Sequence, residues 1–403
     1  MGFLNSGNQA FRIIPLGTKY LLNMRYYIIT GEASGDLHGS NLMKELKKRD
    51  LNAEFRFWGG DLMLEQADNI VRHYRELAYM GLVEVLQNLG KIIRNIRFCK
   101  SDINSYKPDA IILIDYPGFN LRIARFAKQQ GFRVYYYISP KVWAWKPSRV
   151  ETIKTCVDKL FVIFPFEIDF YKKHNFDVDY VGNPILDSID NNTKSLVSKQ
   201  EFITKNSIDE KPIIALLPGS RKQEINKIIP VMLEIIDQYP EHQFVIAATS
   251  GIPADYYRSL IPDESGIKIV YDQTYALLKY SFAAVVTSGT ATLEAALLNV
   301  PEVVGYIANR LSYQVGKRFV RVPYISLVNL IMGKEVVREF IQDEMTGKTI
   351  KKELDRLLFD IEYRENMLKN FGELKKTIGK PGASKRVAEL ILKEMNKVKY
   401  NEA

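Results

Sequence analysis

The chain has 403 residues, 46% hydrophobic and 26% charged. At roughly 100–200 residues per domain, this makes two ordinary domains with a large core and excludes both a single small module and a disordered chain. Lys and Arg number 56 against 47 for Asp and Glu, a formal charge of +9; this favours an anionic partner, whether phosphate, nucleic acid or an acidic membrane surface. The two cysteines, Cys99 and Cys156, stand apart with no Cys/His cluster, which argues for a reducing compartment and against structural zinc.

Residues 1–23 lack the roughly 7–15-residue apolar run of a signal peptide, because Arg12, Pro15, Gly17 and Lys19 interrupt it, and they read as an N-terminal extension. No stretch reaches the about 18 consecutive apolar residues of a spanning helix. From Met24 short β-branched or aromatic runs alternate with amphipathic segments, the pattern of parallel sheets covered by helices. Strands are predicted at Tyr26–Thr30, Ala110–Ile114, Arg133–Ile138, Lys159–Ile163 and Val178–Val181. The first is followed by a loop over Gly31–Gly39 and a helix over Ser40–Lys48, the second by a loop over Asp115–Asn120 and a helix over Leu121–Gln130. The domain of residues 24–190 gives way to a polar linker at 191–211. A second series spans 212–347, with strands at Ile213–Leu217, Phe244–Ala248, Lys268–Val270, Ala283–Thr287 and Glu302–Tyr306. A helical tail at 348–403 breaks at Gly379-Lys380-Pro381-Gly382. Two such α/β halves put a cleft between them.

Several strand-to-helix loops can carry chemistry. Gly31–Asp36, with Ser34 and His38 at hand, lacks both GxGxxG and a Walker lysine, and is either a tight turn or a ligand loop. Asp115, ending an apolar strand, is either a loop cap or a proton acceptor for an incoming hydroxyl. Gly219-Ser220-Arg221 opens the second domain before a helix, where a guanidinium, a hydroxyl and free amides suit a diphosphate. Ser288-Gly289-Thr290-Ala291-Thr292 is a second such loop. Glu294, one turn in, either caps its helix or accepts from ribose hydroxyls. Asp177-Val178-Asp179 has the spacing of a metal-binding DxD, yet it lies near the linker, away from the proposed diphosphate loops, and reads as an acidic pair on a strand edge. His73, His174 and His242 show no metal spacing, so no metal site is expected. Leu82–Phe98 repeats apolar residues at helical spacing with Lys91, Arg94 and Arg97 on another side, and is either a core helix with a solvated basic face or an interfacial helix on anionic lipid.

The stretches GEASGDLHG (31–39), LAYMGLVEVL (77–86), IDYPGFN (114–120), YYISPKVWAWK (136–146), VIFPFE (162–167), YVGNP (180–184), LLPGSRKQEI (216–225), SGTATLEAAL (288–297) and VPYISLVNLIMGKEVV (322–337) together resemble the lipid-A-disaccharide synthase family. The resemblance implies a GT-B fold: two Rossmann-like domains facing across a cleft, with C-terminal helices returning to the first. It implies inverting transfer of 2,3-diacylglucosamine from UDP-2,3-diacylglucosamine to 2,3-diacylglucosamine 1-phosphate at a membrane face, without a cofactor. Carried over by residue, Asp115 is the expected base; Gly219, Ser220, Arg221 and Ser288–Thr292 hold the diphosphate; and Glu294 binds the ribose. Asn329 and Gln342 match cleft-lining positions, while Ser34, Met80 and Gly81 fall on the acceptor side, with His38 in the same loop. The chain departs from the family pattern at Asn183, often His, and at Val328, often Pro. The rival readings are another GT-B UDP-sugar enzyme, such as a UDP-N-acetylglucosamine 2-epimerase, and a nucleic-acid-binding protein. Against the last, the basic residues are interspersed with acids and no RRM, KH or helix-turn-helix signature appears.

Overall fold

A computed structural model describes residues 23–76, 89–145, 149–262, 265–309, 313, 314, 318 and 322–402. The chain forms two compact units. The first comprises the chain up to Pro140, Glu151–Phe161 and the stretch from Ser384 onward; the second comprises Lys141–Val150 and Val162–Ala383.

The strands are β1 (Arg25–Ile29), β2 (Glu54–Gly59), β3 (Ile70–His73), β4 (Ala110–Ile114), β5 (Val134–Tyr137), β6 (Lys159–Val162), β7 (Asp179–Tyr180), β8 (Ile213–Leu217), β9 (Gln243–Ala248), β10 (Lys268–Tyr271), β11 (Ser281–Thr287), β12 (Glu302–Tyr306) and β13 (Arg338–Ile341). They make a seven-stranded sheet in the order β3-β2-β1-β4-β5-β6-β7 and a six-stranded sheet in the order β10-β9-β8-β11-β12-β13. The ladders from β3 to β6 and from β10 to β13 are all parallel. Parallel strands covered on both faces need near-continuous apolar runs, which AIILI of β4 and IIALL of β8 supply, every residue buried. In each sheet the first strand lies centrally and the winding direction reverses beside it, between β1 and β4 and between β8 and β11. Ligands bind outside the carboxyl ends of the strands at such a switch point.

Several expectations need correction. The stretch predicted as a loop over Gly31–Gly39 is helical from Ala33, the helix running to Lys47. Its glycines serve packing instead of turning: a Cβ on Gly35 would stand 2.9 Å from Thr30 Cβ, and one on Gly39 2.5 Å from Met63 Sδ. The loop after β4 is only two residues long, because Pro117, with no amide hydrogen to satisfy, starts the helix Pro117–Gln129. β2, β3 and β13 went unpredicted; EFRFWG, IVRH and REFI interleave charges among their apolar residues, and the last two are edge strands with half-exposed faces. The polar stretch read as a linker holds the end of the helix Pro184–Lys194 and the helix Lys199–Lys205, whose Ser198 side chain caps the Glu201 amide at 3.2 Å.

Of the Leu82–Phe98 segment, residues 82–88 lie outside the described residues; the rest belongs to the helix Leu89–Tyr106. Its two halves differ. Cys99 and Ile103 are fully buried, and Asp102 accepts from the Tyr27 hydroxyl at 2.7 Å and from both ends of the Arg56 guanidinium at 2.8 and 2.6 Å. Ile93 and Phe98, by contrast, are 41% and 44% exposed, with Lys91, Arg94 and Arg97 exposed around them. Helix Ala383–Glu402 buries Val387, Ala388, Ile391 and Leu392, and its Glu389 pairs with Arg49 at 2.9 Å, so from Ser384 the C-terminal helix belongs with the first unit.

Candidate functional site

At the first switch point the segments after β1 and β4 lie side by side. Asp115 and Tyr116 are both left-handed, with φ of 46° and 49°. The Asp115 amide donates to the Tyr137 carbonyl at 3.1 Å, and its carbonyl accepts from Asn120 Nδ2 at 2.8 Å and from the Tyr136 hydroxyl. Asn120 also reaches the Ile114 and Ile29 carbonyls at 3.3 and 3.5 Å, clamping the two strand ends together. Gly31 makes room for the Tyr116 ring, whose Cγ would lie 2.3 Å from a Cβ at that position. Ser34 is exposed and donates to Glu32 at 2.6 Å. Asp36 is buried and spent: its oxygens accept from the Gly60, Leu62 and Met63 amides at 2.7–3.1 Å, capping the helix Asp61–Leu64. His38 packs edge-on to Tyr137 at 6.4 Å, its buried Nδ1 has no hydrogen-bond partner among the described residues, and burial lowers its pKa to about 4, so the ring is neutral at physiological pH. Met80 and Gly81 lie outside the described residues.

At the second switch point, Gly219 has φ +101°, and any Cβ there would stand 2.6 Å from Glu224 Oε2. The position requires glycine. Ser220 is exposed; Arg221, 60% exposed, precedes the helix Lys222–Leu233 and touches Glu224 at 3.4 Å. From the end of β11, the Ser288 hydroxyl donates to the Ile325 carbonyl at 3.0 Å and the Thr292 hydroxyl to the Gly289 carbonyl at 2.9 Å. Gly289 and Thr290 stay exposed and Ala291 half-buried at the start of the helix Thr290–Leu297. Glu294 does not cap: its Oε1 accepts from the Tyr275 hydroxyl at 2.7 Å, and burial raises its pKa.

Asn329 is fully buried and saturated. Its amide donates to the Val337 carbonyl and Glu339 at 2.8 and 2.9 Å, and its oxygen accepts from the Val336 and Val337 amides at 2.7 and 3.0 Å. Glu339 in turn holds the Ile325 and Ser326 amides at 2.9 Å, so Asn329 shapes the loop that Ser288 touches. Gln342, left-handed at φ 56°, accepts from the Ala308 amide at 2.6 Å beyond the end of β12. Asn183 caps the helix Pro184–Lys194 through the Ile185 amide at 3.0 Å. His73 pairs with Asp61 at 3.3 Å, while His174 and His242 pack against aromatic rings. Among the described residues no three His, Cys, Asp or Glu gather as a metal-binding group. Glu224 and Asn120 lie inside the quoted motifs without being singled out, whereas Tyr275 escapes sequence reasoning because only the fold brings it to Glu294.

Two sheets of this order, with small-residue loops at the second switch point, define the two-unit α/β class of the GT-B fold. Solved structures of the class agree in fold: the UDP-GlcNAc 2-epimerase of Neisseria meningitidis bound to UDP-GlcNAc (TM-score 0.60, 16% identity, 92% of this chain and 100% of that one) and the calicheamicin glycosyltransferase CalG4 (TM-score 0.58, 13% identity, 93% and 99%). The sequence is more specific. Residues 26–389 match the family described as "Lipid-A-disaccharide synthetase". Proteins named lipid-A-disaccharide synthase are 39% identical in Geobacter metallireducens (93% of this chain, 98% of that protein) and 36% identical in Coxiella burnetii (92% and 98%). The chain belongs to the lipid-A-disaccharide synthase family, and is thus a glycosyltransferase of lipid A biosynthesis.

Proposed function

We propose that the chain transfers 2,3-diacylglucosamine, with inversion, from UDP-2,3-diacylglucosamine to the 6-hydroxyl of 2,3-diacylglucosamine 1-phosphate, releasing UDP and a β-1,6-linked disaccharide 1-phosphate. The observation that carries this reading is the family match, with its motif carboxylate Asp115 at one switch point and its motif Arg221 at the other. Asp115 takes the proton of the acceptor 6-hydroxyl. The oxygen then bonds to the anomeric carbon opposite the diphosphate, and the carbon–oxygen bond to the diphosphate breaks with its electron pair leaving on UDP. Arg221, with Gly219, Ser220 and the Ser288–Thr292 loop, receives that charge through a forked guanidinium and helix N-terminal amides, which can do so without a metal. Glu294 accepts from the ribose hydroxyls, and Gln342 keeps the loop after β12 in place. The acceptor side comprises Ser34, His38, Met80 and Gly81.

The proposed setting is the cytoplasmic face of the inner membrane of a Gram-negative bacterium, with the protein peripheral. Both substrates are acylated and anionic, and exposed Ile93 and Phe98 beside Lys91, Arg94 and Arg97 suit an anionic interface. Among the described residues no helix is long and apolar enough to cross a membrane. The second reading, a UDP-N-acetylglucosamine 2-epimerase, draws on the epimerase fold neighbours. One assay decides: UDP release from UDP-2,3-diacylglucosamine with and without the monosaccharide 1-phosphate. Release that requires both substrates is expected; turnover of a UDP-sugar alone overturns the transferase reading.

A further inference from the structure

Glu294 is half-buried in the helix Thr290–Leu297, with one oxygen engaged and one not. Oε1 accepts from the Tyr275 hydroxyl at 2.7 Å; Oε2 has no hydrogen-bond partner among the described residues and is not sealed from solvent. Tyr275 comes from the helix Thr274–Tyr280, which packs against the helix Pro184–Lys194. A carboxylate on a flexible two-carbon stem points anywhere until one oxygen is tied. Once tied, the other has a fixed direction, and hydrogen bonds to a charged acceptor are worth about twice those to a neutral one. Burial, and then the Glu294 charge, keep the Tyr275 phenol protonated, so toward the carboxylate it donates. Burial works against the Glu294 charge while the Tyr275 bond works for it.

We propose that Tyr275 is a positioning residue of the nucleotide site: its hydroxyl ties Glu294 Oε1, aims Oε2 at the ribose hydroxyls, and so sets the discrimination between a ribonucleotide and its deoxy analogue. The inference rests on the assignment of Glu294 to the ribose.

The test is titration of the full chain with UDP and with 2′,3′-dideoxy-UDP, by calorimetry, for the parent, Tyr275→Phe and Glu294→Ala. The parent is expected to prefer UDP by roughly tenfold or more, as charge-assisted hydrogen bonds allow. Tyr275→Phe should lose most of that preference by weakening UDP alone, with dideoxy-UDP affinity within about twofold of the parent's. Equal losses for both ligands would make Tyr275 a packing residue and overturn the proposal, as would an unchanged preference. If Glu294→Ala abolishes the preference while Tyr275→Phe retains it, only the Tyr275 proposal falls. If Glu294→Ala retains it, the ribose assignment falls as well.

Discussion

Asp115 and Tyr116 occupy the left-handed region in succession, a conformation that costs side-chain-bearing residues roughly 1–2 kcal/mol each. The structure over-determines it through Asn120, Tyr136, the Tyr137 carbonyl and the space above Gly31. Strain held this firmly at a strand end fits a carboxylate whose direction matters. Asn tolerates the same backbone region, so Asp115→Asn should keep its melting temperature and UDP affinity while turnover falls by about 10²–10⁴-fold. Steady-state turnover within threefold of the parent's would remove Asp115 from the chemistry. Glu302 is a different kind of carboxyl. It is fully buried at the start of β12, neither oxygen has a hydrogen-bond partner among the described residues, and burial raises its pKa well above the usual range. Its folded-state pKa exceeds the unfolded one. The penalty for burying its charge is therefore absent below about pH 4, grows as pH rises, and is complete above the folded value. Glu302→Gln should outlast the parent in thermal unfolding at neutral pH, the gap opening from pH 4 upward by at most about 1.4 kcal/mol per pH unit. Parallel pH profiles for the two proteins would show that the carboxyl is compensated.

Among the elements, those with one-sided physics were the legible ones. β4, β8 and β11 announced themselves as apolar runs because a buried parallel strand tolerates nothing else. β3 and β13 stayed hidden because an edge strand may carry Arg72 or Arg338 at no cost. Gly31, Gly35 and Gly39 read in sequence as a turn, and only the partners packed against them show why the first helix starts at Ala33. The same limit applies at the site: Arg221 and Glu294 are readable from their motifs, whereas Tyr275 lies 19 residues from Glu294 and only folding makes them neighbours. The helix Leu89–Tyr106 divides along its length, anchored by Asp102 at one end and exposing apolar and cationic residues toward the other. Reversing Lys91, Arg94 and Arg97 to Glu should reduce cosedimentation with anionic vesicles at low salt, each cation being worth on the order of 1 kcal/mol at such a surface, and leave UDP binding intact. Undiminished vesicle binding would return the helix to a plain core role.

In the whole molecule neither unit is a single stretch of chain, and the passage near Ala383 is tied on the second unit's side. Asp187 accepts from the Gly382 and Ala383 amides, and the Tyr180 hydroxyl donates to the Ile378 carbonyl at 2.7 Å. Asp187→Ala removes the cap of the helix Ala383–Glu402 and should cost about 0.5–2 kcal/mol, read as a lower melting temperature, with Asp187→Asn recovering part of it. A Tm unchanged in Asp187→Ala would mean that packing alone fixes the helix start.

That last helix also sets a timetable. The first unit's earlier segments end at Phe161, and its last segment begins only at Ser384, roughly 220 residues later. A ribosome adding about 5–20 residues per second needs roughly 10–45 s to cover that interval. Throughout it, the apolar seat later filled by Val387, Ala388, Ile391 and Leu392 is synthesised and unfilled. The nascent first unit therefore leaves the ribosome incomplete, and is most in need of a chaperone while the second unit is still being made.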